Sequence, residues 1–493
     1  MVGRLTVTLL TTLALALATP ATGAAADCPA ADRCGTVTVP LDRTAAVPGK
    51  IPLRYAVVRG RDKDAAPLVL LPGGPGQAGL LFTRDWNLLL GLTDVRRTFV
   101  TVDTRGTGGS GLLRCPAFER ALDRSPAASG GGCGTSLGAA RSFYRSADSA
   151  DDLDALRRRL GVDRIAILAV SYGTRIAVEY ARRYPDHTDR VILDSAVDDG
   201  TDAMLAETFE AVPRVLRAVC RFGCPGGGPH PLTDLHALAD DLREDSERVV
   251  LQDGTRVRFD ADELLGMLVT TDLDPGLMQR FPGAVRAALQ GRLQRFTRLE
   301  QAAAELNVVE PPRAFSSALY AATLCEESPL VWNPATAPAE RRREALAALA
   351  ARPLTDFAPF GREEAVANGL LPLCGDWPAP TRAPLPAPPA ATPVPILVLS
   401  GQLDLRTPLE AARRLAARLG NATVVTAPGV GHSVYGADLD GCATRAVAVF
   451  LRGQRPDCAD NTSASATGAS KGTAWPTSGI RTRRAPGIAA ARR

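Results

Sequence analysis

The stretch Arg164-Ile165-Ala166-Ile167-Leu168-Ala169-Val170-Ser171-Tyr172-Gly173 decides the architecture. Its first seven residues form a short apolar, β-branched run that reads as a buried strand, and Tyr172 to Tyr184 carries apolar side chains at helical spacing. Ser171 therefore falls on a sharp strand-to-helix turn. Such a turn strains the backbone, lifts the hydroxyl above the sheet, and aims both the helix N-terminus and the Tyr172 N–H at one point. It needs small residues two positions away on either side of the serine. Ala169 and Gly173 supply them, the first with a methyl group where the motif has glycine. Ser171 is thus the candidate nucleophile.

Outward from this turn the pattern alternates. Ile51–Val58, Pro67–Leu71, Thr98–Asp103 and Val191–Leu193 read as strands, and Ser149–Leu160 as a helix, which is how a mostly parallel sheet wrapped by helices is written. From Thr201 to Arg352 strands become sparse, and Asp234–Arg243, Met278–Leu306 and Pro338–Arg352 carry helix formers with apolar residues three and four apart. A proline-dense stretch follows Trp377 and reads as an extended connector. Alternation then resumes with Ile396–Ser400, the helix Pro408–Leu419, the strand Thr423–Ala427 and a last helix over Cys442–Leu451. The expected organisation is a first core part over 27–200, a helical cap over 201–377, a connector over 378–395 and a last core part over 396–458. Residues 459–493 form a Ser/Thr/Gly/Ala/Arg-rich tail with too little apolar bulk to fold. No internal repeat is present.

A nucleophilic serine needs an imidazole to take its proton and a carboxylate to orient that imidazole. The chain has four histidines. His187 ends the nucleophile helix, and His230 and His236 fall in the helical insertion, where packing or surface roles suffice. His432 lies in the glycine-rich turn Pro428-Gly429-Val430-Gly431-His432-Ser433 after a strand, at the sheet edge where catalytic groups collect. Asp404 occupies the equivalent turn after the preceding strand, and Asp194 and Asp198, after the strand Val191–Leu193, are the rival acids. The order Ser, Asp, His is that of the α/β-hydrolases. Leu71-Pro72-Gly73-Gly74-Pro75-Gly76 supplies backbone N–H groups for an oxyanion, with Gly74 the expected donor beside Tyr172. The same glycines lack the Lys-Ser/Thr that a phosphate cradle requires. No cofactor or metal is implied, because such a triad supplies both nucleophile and proton transfer. The spacing of Cys220 and Cys224 would suit zinc only with two further ligands nearby, and none are present.

With 493 residues, 45% of them apolar and 22% charged, the chain has the composition of a globular enzyme. The net charge of +4 comes from the ends, since Arg4 and six basic residues after Cys458 outweigh Asp460 and leave the body slightly acidic. That excludes a basic nucleic-acid surface as the function of the folded part. Residues 1–26 combine Arg4, an apolar run from Leu5 to Leu17 and a small-residue stretch to Ala26, the pattern of a signal peptide. The threonines scattered through that run argue against a stable membrane anchor. Lipid attachment at Cys28 is disfavoured by Asp27. The expected compartment is extracellular, with cell-envelope association left open. Ten cysteines in an exported chain read as disulfides. Pairing neighbours gives Cys28–Cys34, Cys115–Cys133, Cys220–Cys224, Cys325–Cys374 and Cys442–Cys458, a connectivity that sequence alone does not establish.

Pro72-Gly73-Gly74-Pro75-Gly76, Asp103-Thr104-Arg105-Gly106-Thr107-Gly108-Gly109-Ser110, Ala169-Val170-Ser171-Tyr172-Gly173, Asp404 and Gly431-His432-Ser433 together resemble the prolyl-iminopeptidase-like α/β-hydrolases. More narrowly they are similar to the secreted tripeptidyl aminopeptidases of actinobacteria, with the likeness running from about Cys34 to Cys458. The departures are Ala169 and the Pro72 that stands where many iminopeptidases have histidine. The resemblance implies an exported serine exopeptidase that releases short peptides or single residues from peptides with a free N-terminus. A carboxylester hydrolase on the same triad, or a catalytically inactive binding protein on the same fold, are the alternatives. It also implies a cap carboxylate that pairs with the substrate ammonium group. Glu326 is the first candidate and Glu327 the second, with Cys325 beside them to hold the segment still.

Overall fold

In a computed structural model of the chain, the described residues are 30–456, except 123–127, 199, 201–203, 222–223, 251–255, 307–309, 383–388 and 439–440. The expected signal peptide, the tail, Cys28, Cys458 and the middle of the connector lie outside them. Among the described residues ten strands form: β1 Arg33–Pro40, β2 Lys50–Val58, β3 Leu68–Leu71, β4 Phe99–Val102, β5 Ile165–Val170, β6 Thr188–Asp194, β7 Glu247–Val250, β8 Arg256–Phe259, β9 Thr392–Gly401 and β10 Gly420–Ala427. Eight of them make one sheet in the order β1-β2-β4-β3-β5-β6-β9-β10. β1 and β2 run antiparallel at one edge, and every pairing from β4 to β10 is parallel. This is the α/β-hydrolase architecture. The central strands β3, β4 and β5 are buried at every residue, as parallel strands covered on both faces must be, which is why they read as unbroken apolar runs.

Two apolar layers cover the sheet. On one face the helices Ser146–Leu160, Gly173–Arg183 and Leu409–Leu419 bury Leu153, Leu156, Ile176, Tyr180 and Leu415 against Val69, Ile167 and Val398. On the other, Trp86, Leu90, Tyr435, Val447 and Phe450 pack on Leu70, Leu168 and Leu399. Between β6 and β9 the chain builds a mainly helical layer whose core includes Phe209, Leu264, Phe281, Phe296 and Phe357. Its pattern goes beyond the sequence reading in two places. The helical segment Met278–Leu306 divides into two helices, Pro275–Ala288 and Gln294–Leu306. The break falls at Gly291, whose φ of +71° belongs to the left-handed region where helices end. The second is the antiparallel hairpin β7–β8, four residues a side, inserted among the helices.

Cys115–Cys133, Cys220–Cys224 and Cys325–Cys374 are bonded. Cys34 and Cys442 are in disulfides too. Cys325–Cys374 joins the helix Ser317–Glu327 to the short helix Leu371–Cys374, both within the inserted layer. Residues 375–382 just beyond it are docked on the rest of the protein. Arg382 pairs with Asp148 at 2.8 Å, and the Trp377 indole N–H donates to Glu326 at 2.9 Å.

Candidate active site

β5 ends at Val170 and the helix Gly173–Arg183 begins three residues on, so Ser171 and Tyr172 make the turn, with Ser171 at a φ of +52°. A non-glycine residue there stores roughly 1–3 kcal/mol of strain and persists only where the surroundings over-determine it. They do. The Ser171 N–H donates to the Asp194 carbonyl at 2.9 Å, and its own carbonyl accepts from the Thr174 N–H at 2.9 Å and the Thr174 hydroxyl at 2.5 Å. A Cβ on Gly73 would lie 2.9 Å from the Ser171 Cβ and 3.4 Å from its Oγ. Only a bare backbone lets the 72–76 loop stand against the hydroxyl. The Gly73 N–H is taken by the Gln77 side-chain oxygen at 3.0 Å. The N–H groups of Gly74 and Tyr172 have no protein acceptor among the described residues, leaving them available for a developing oxyanion.

His432 and Asp404 meet at the carboxyl ends of β10 and β9. The Asp404 Oδ2 lies 3.0 Å from His432 Nδ1, with the aspartate side chain fully buried and the imidazole nearly so. Thr407, absent from the sequence reading, completes this contact. Its hydroxyl donates to Asp404 Oδ2 at 2.7 Å and lies 3.2 Å from His432 Nδ1, while its N–H donates to Asp404 Oδ1 at 2.9 Å. Burial by itself would push the Asp404 carboxyl up, but the imidazole and the Thr407 hydrogen bonds hold it below its ordinary value. Burial likewise disfavours the imidazolium, yet Asp404, and after it Asp272, hold the His432 imidazole above its ordinary value. Ser171 makes no hydrogen bond to His432 here. A serine–imidazole bond is often long before substrate arrives and tightens in the complex.

The rival acids do other work. Asp194, at the end of β6, accepts the Val434 and Tyr435 N–H groups at 2.7 and 2.9 Å and so anchors the turn after His432. Burial pushes its carboxyl up to about 6 against those hydrogen bonds. The adjacent Ser195 hydroxyl accepts the Ser433 N–H at 2.9 Å, holding Ser433 at a φ of +66°. Asp198 pairs with Arg414 and Arg418 instead. His187 bonds Asp154 at 2.8 Å, His236 the Pro359 carbonyl at 3.0 Å, and His230 is exposed ahead of a helix.

The two glutamates expected to hold a substrate ammonium group are already engaged. The Glu326 side chain is 1% exposed and lies 3.1 Å from Arg141 and 3.3 Å from Arg145. It also accepts from the Ser142 hydroxyl and the Trp377 indole at 2.9 Å each. Glu327 accepts the Ser146 N–H at 2.6 Å, the Ser146 hydroxyl at 2.8 Å and the Tyr172 hydroxyl at 2.9 Å. Both fasten the helix Ser317–Glu327 to the core, and Glu327 does so beside the nucleophile through the Tyr172 hydroxyl. Glu326→Gln should cost roughly 3 kcal/mol, because removing one charge of a buried cluster leaves the arginines uncompensated. Chemical denaturation checks this. A loss under about 0.5 kcal/mol, the scale of a surface substitution, would mean the cluster is solvated.

Asp272, Asp404 and His432 bring ligand atoms within 4.8 Å of one another. Their lone pairs are spent on Arg406, Thr407, backbone N–H groups and each other, so the donor set fits proton handling better than an ion cage. Between the 72–77 loop and the inserted layer lies a narrow cleft bordered by Gly76, Gln77, Tyr144, Tyr172, Leu319 and Thr323.

Two family models match. Residues 66–218 match the alpha/beta hydrolase fold and residues 358–463 the TAP-like protein family. A tripeptidyl aminopeptidase of Streptomyces lividans is 31% identical over 196 residues, which cover 34% of this chain and 36% of that protein. Serine protease Hip1 of Mycobacterium tuberculosis is 27% identical over 317 residues, 62% of this chain and 58% of that protein. The matches thus span from about a third to under three fifths of these relatives' lengths. A solved proline iminopeptidase of Mycobacterium smegmatis aligns at 18% identity and a TM-score of 0.38, covering 85% of this chain and 98% of that one.

Proposed function

We propose, from the premise that this chain is an α/β-hydrolase with a TAP-like carboxy-terminal part, that it is an exported serine peptidase releasing short peptides from free N-termini. The observation that carries the chemistry is the buried Asp404–His432 pair at 3.0 Å, on the sheet edge that also carries the strained Ser171. Ser171 Oγ attacks the scissile carbonyl carbon while His432 Nε2 takes its proton. Asp404, accepting the Nδ1–H, fixes the tautomer and stabilises the imidazolium. The carbonyl oxygen becomes an oxyanion between the Gly74 and Tyr172 N–H groups. Collapse breaks the C–N bond, with His432 returning the proton to the leaving amine. Water then repeats the sequence on the acyl-enzyme and restores the Ser171 hydroxyl. The relatives named as peptidases support a peptide substrate, and the disulfides support an oxidising compartment. Among the described residues no helix is long and apolar enough to cross a membrane.

Glu326 and Glu327 already carry protein partners, so an unpaired carboxylate of the inserted layer is a further candidate for the ammonium group of a free N-terminus. Glu310 suits the role. It is half-buried, has no partner among the described residues, and is raised above its ordinary value by burial. It precedes the segment whose Ala314 and Ser316 backbones bond Ala78 and Gly76 of the oxyanion loop. A panel of aminoacyl, dipeptidyl and tripeptidyl chromogenic amides, free and N-acetylated, beside short-chain esters, tests the reading. Free tripeptidyl amides should be cleaved fastest, and Glu310→Gln should narrow the preference for the free amine roughly tenfold, the size of one charged hydrogen bond. Turnover of esters alone would make the chain a carboxylester hydrolase.

A further inference from the structure

Asp272 stands on the one-turn segment Thr271–Leu273, between the helices Ala261–Thr270 and Pro275–Ala288 of the inserted layer. Its side chain is fully buried, and it grips both loops of the acid–base pair. Its carbonyl accepts the His432 N–H at 2.9 Å. Its Oδ2 accepts the Leu405 and Arg406 N–H groups at 3.1 Å each, immediately after Asp404, and its Oδ1 accepts Arg406 Nε at 2.8 Å. The approach is backbone on backbone: a Cβ on Gly431 would collide with the Asp272 carbonyl oxygen, and one on Gly401 with the Gly431 carbonyl oxygen. Burying a second carboxylate beside Asp404 is costly unless it compensates another charge. That charge is Arg406. The groups facing the imidazole are Asp404 and Arg406 from the β9 loop, Asp194 from the end of β6 and Asp272 from the inserted layer. Without Asp272, the Arg406 guanidinium would oppose the imidazolium that must form whenever Ser171 gives up its proton.

We propose that Asp272 is a positioning residue of the hydrolytic site: it clamps the Asp404 and His432 loops together and cancels Arg406, so that His432 is a competent base only when the inserted layer is seated on the core. The proposal rests on the reading of Ser171, His432 and Asp404 as a hydrolytic triad.

The test compares kcat, KM and the pH profile of kcat/KM for wild type, Asp272→Asn, Asp272→Glu and Arg406→Gln on one chromogenic substrate. The acid limb of kcat/KM reports His432 losing its proton in the free enzyme. Removing the negative charge of Asp272 weakens the proton's hold on the ring, so neutral imidazole persists to lower pH. Asp272→Asn should therefore move the limb down by on the order of one pH unit and lower kcat roughly tenfold with little change in KM. Arg406→Gln should move the limb up, and Asp272→Glu, which keeps the charge, should keep the limb. A merely structural aspartate would alter stability and leave the limb in place. A folded Asp272→Asn with the wild-type limb and kcat overturns the proposal. Should that variant not fold, an Arg406→Gln limb that fails to rise overturns it. A wild-type protein that neither turns over substrate nor reacts with a fluorophosphonate instead overturns the reading of the site on which the proposal rests.

Discussion

Replacing Ser171 with alanine should lower kcat by roughly 10⁴- to 10⁶-fold while leaving the fold intact. The substitution removes only the attacking oxygen. The Ser171 main-chain bonds to Asp194 and Thr174 remain, and alanine tolerates the same left-handed φ no worse than serine. Near-ultraviolet circular dichroism and the denaturation midpoint should match wild type, and fluorophosphonate labelling should vanish. Because nucleophile and base act as one unit, the double variant Ser171→Ala/His432→Ala should be no slower than either single variant. If Ser171→Ala retained more than about a tenth of wild-type activity, against the far larger loss expected of a nucleophile, the hydroxyl would not be the attacking group.

Asp404→Asn should cost roughly 10⁴-fold in kcat. Asparagine is nearly isosteric, so the loop should keep its shape. The electronic change is large, however. Asp404 Oδ2 accepts from both Thr407 and His432 Nδ1, and Oδ1 accepts two N–H groups. An amide nitrogen at either position puts a donor where an acceptor is required. If it faces Nδ1, the ring is driven to the tautomer that carries its proton on Nε2, where it no longer serves as base toward Ser171. If it faces Arg406 and Thr407, two backbone donors lose their acceptor. Steady-state kinetics with a thermal melt separate loss of activity from loss of fold. A decrease under about tenfold, far short of that expected for the orienting acid, would transfer the role to another carboxylate, and Asp194, bound two residues beyond His432, is the one to examine next.

The parts of this site that could be read from sequence are those written by neighbours in the chain. Ser171 betrays itself through the apolar run before it and the small residues around it, Asp404 and His432 through the strand ends they follow, and Gly73 and Gly74 through their cluster. The unread parts are made by residues far apart. Asp272 precedes Arg406 by 134 positions, and no local pattern distinguishes it from an ordinary helix-end acid. Glu327 bonds Ser146 across 181 positions. That contact also explains why the helix starts at Ser146, three residues before the Ser149 suggested by periodicity: a distant carboxylate satisfies the first N–H. Thr407 was within reach, since a hydroxyl three residues after an aspartate in a turn commonly closes back on it. The arginine partners of Glu326 were not legible either, because a carboxylate beside a cysteine in a helical insertion looks the same whether it faces solvent, substrate or buried arginines. The break within Met278–Leu306 was not legible because both halves carry helical periodicity and little but the left-handed Gly291 marks the boundary.

The ties that Glu326, Glu327 and Asp272 make to the core bear on how this scaffold diversifies. Enzymes of this architecture are often pictured as a fixed engine carrying an exchangeable attachment, with new selectivity reached by swapping the attachment wholesale. Here the attachment caps a core helix through Glu327, steadies the Tyr172 hydroxyl next to the nucleophile, and holds the histidine loop through Asp272. A graft from a relative that lacked these three acids would arrive with its own selectivity and leave the engine misaligned. Recombination that respects the 271–273 turn and the end of the Ser317–Glu327 helix, and varies what lies between them, is the route by which new selectivity and retained turnover are compatible.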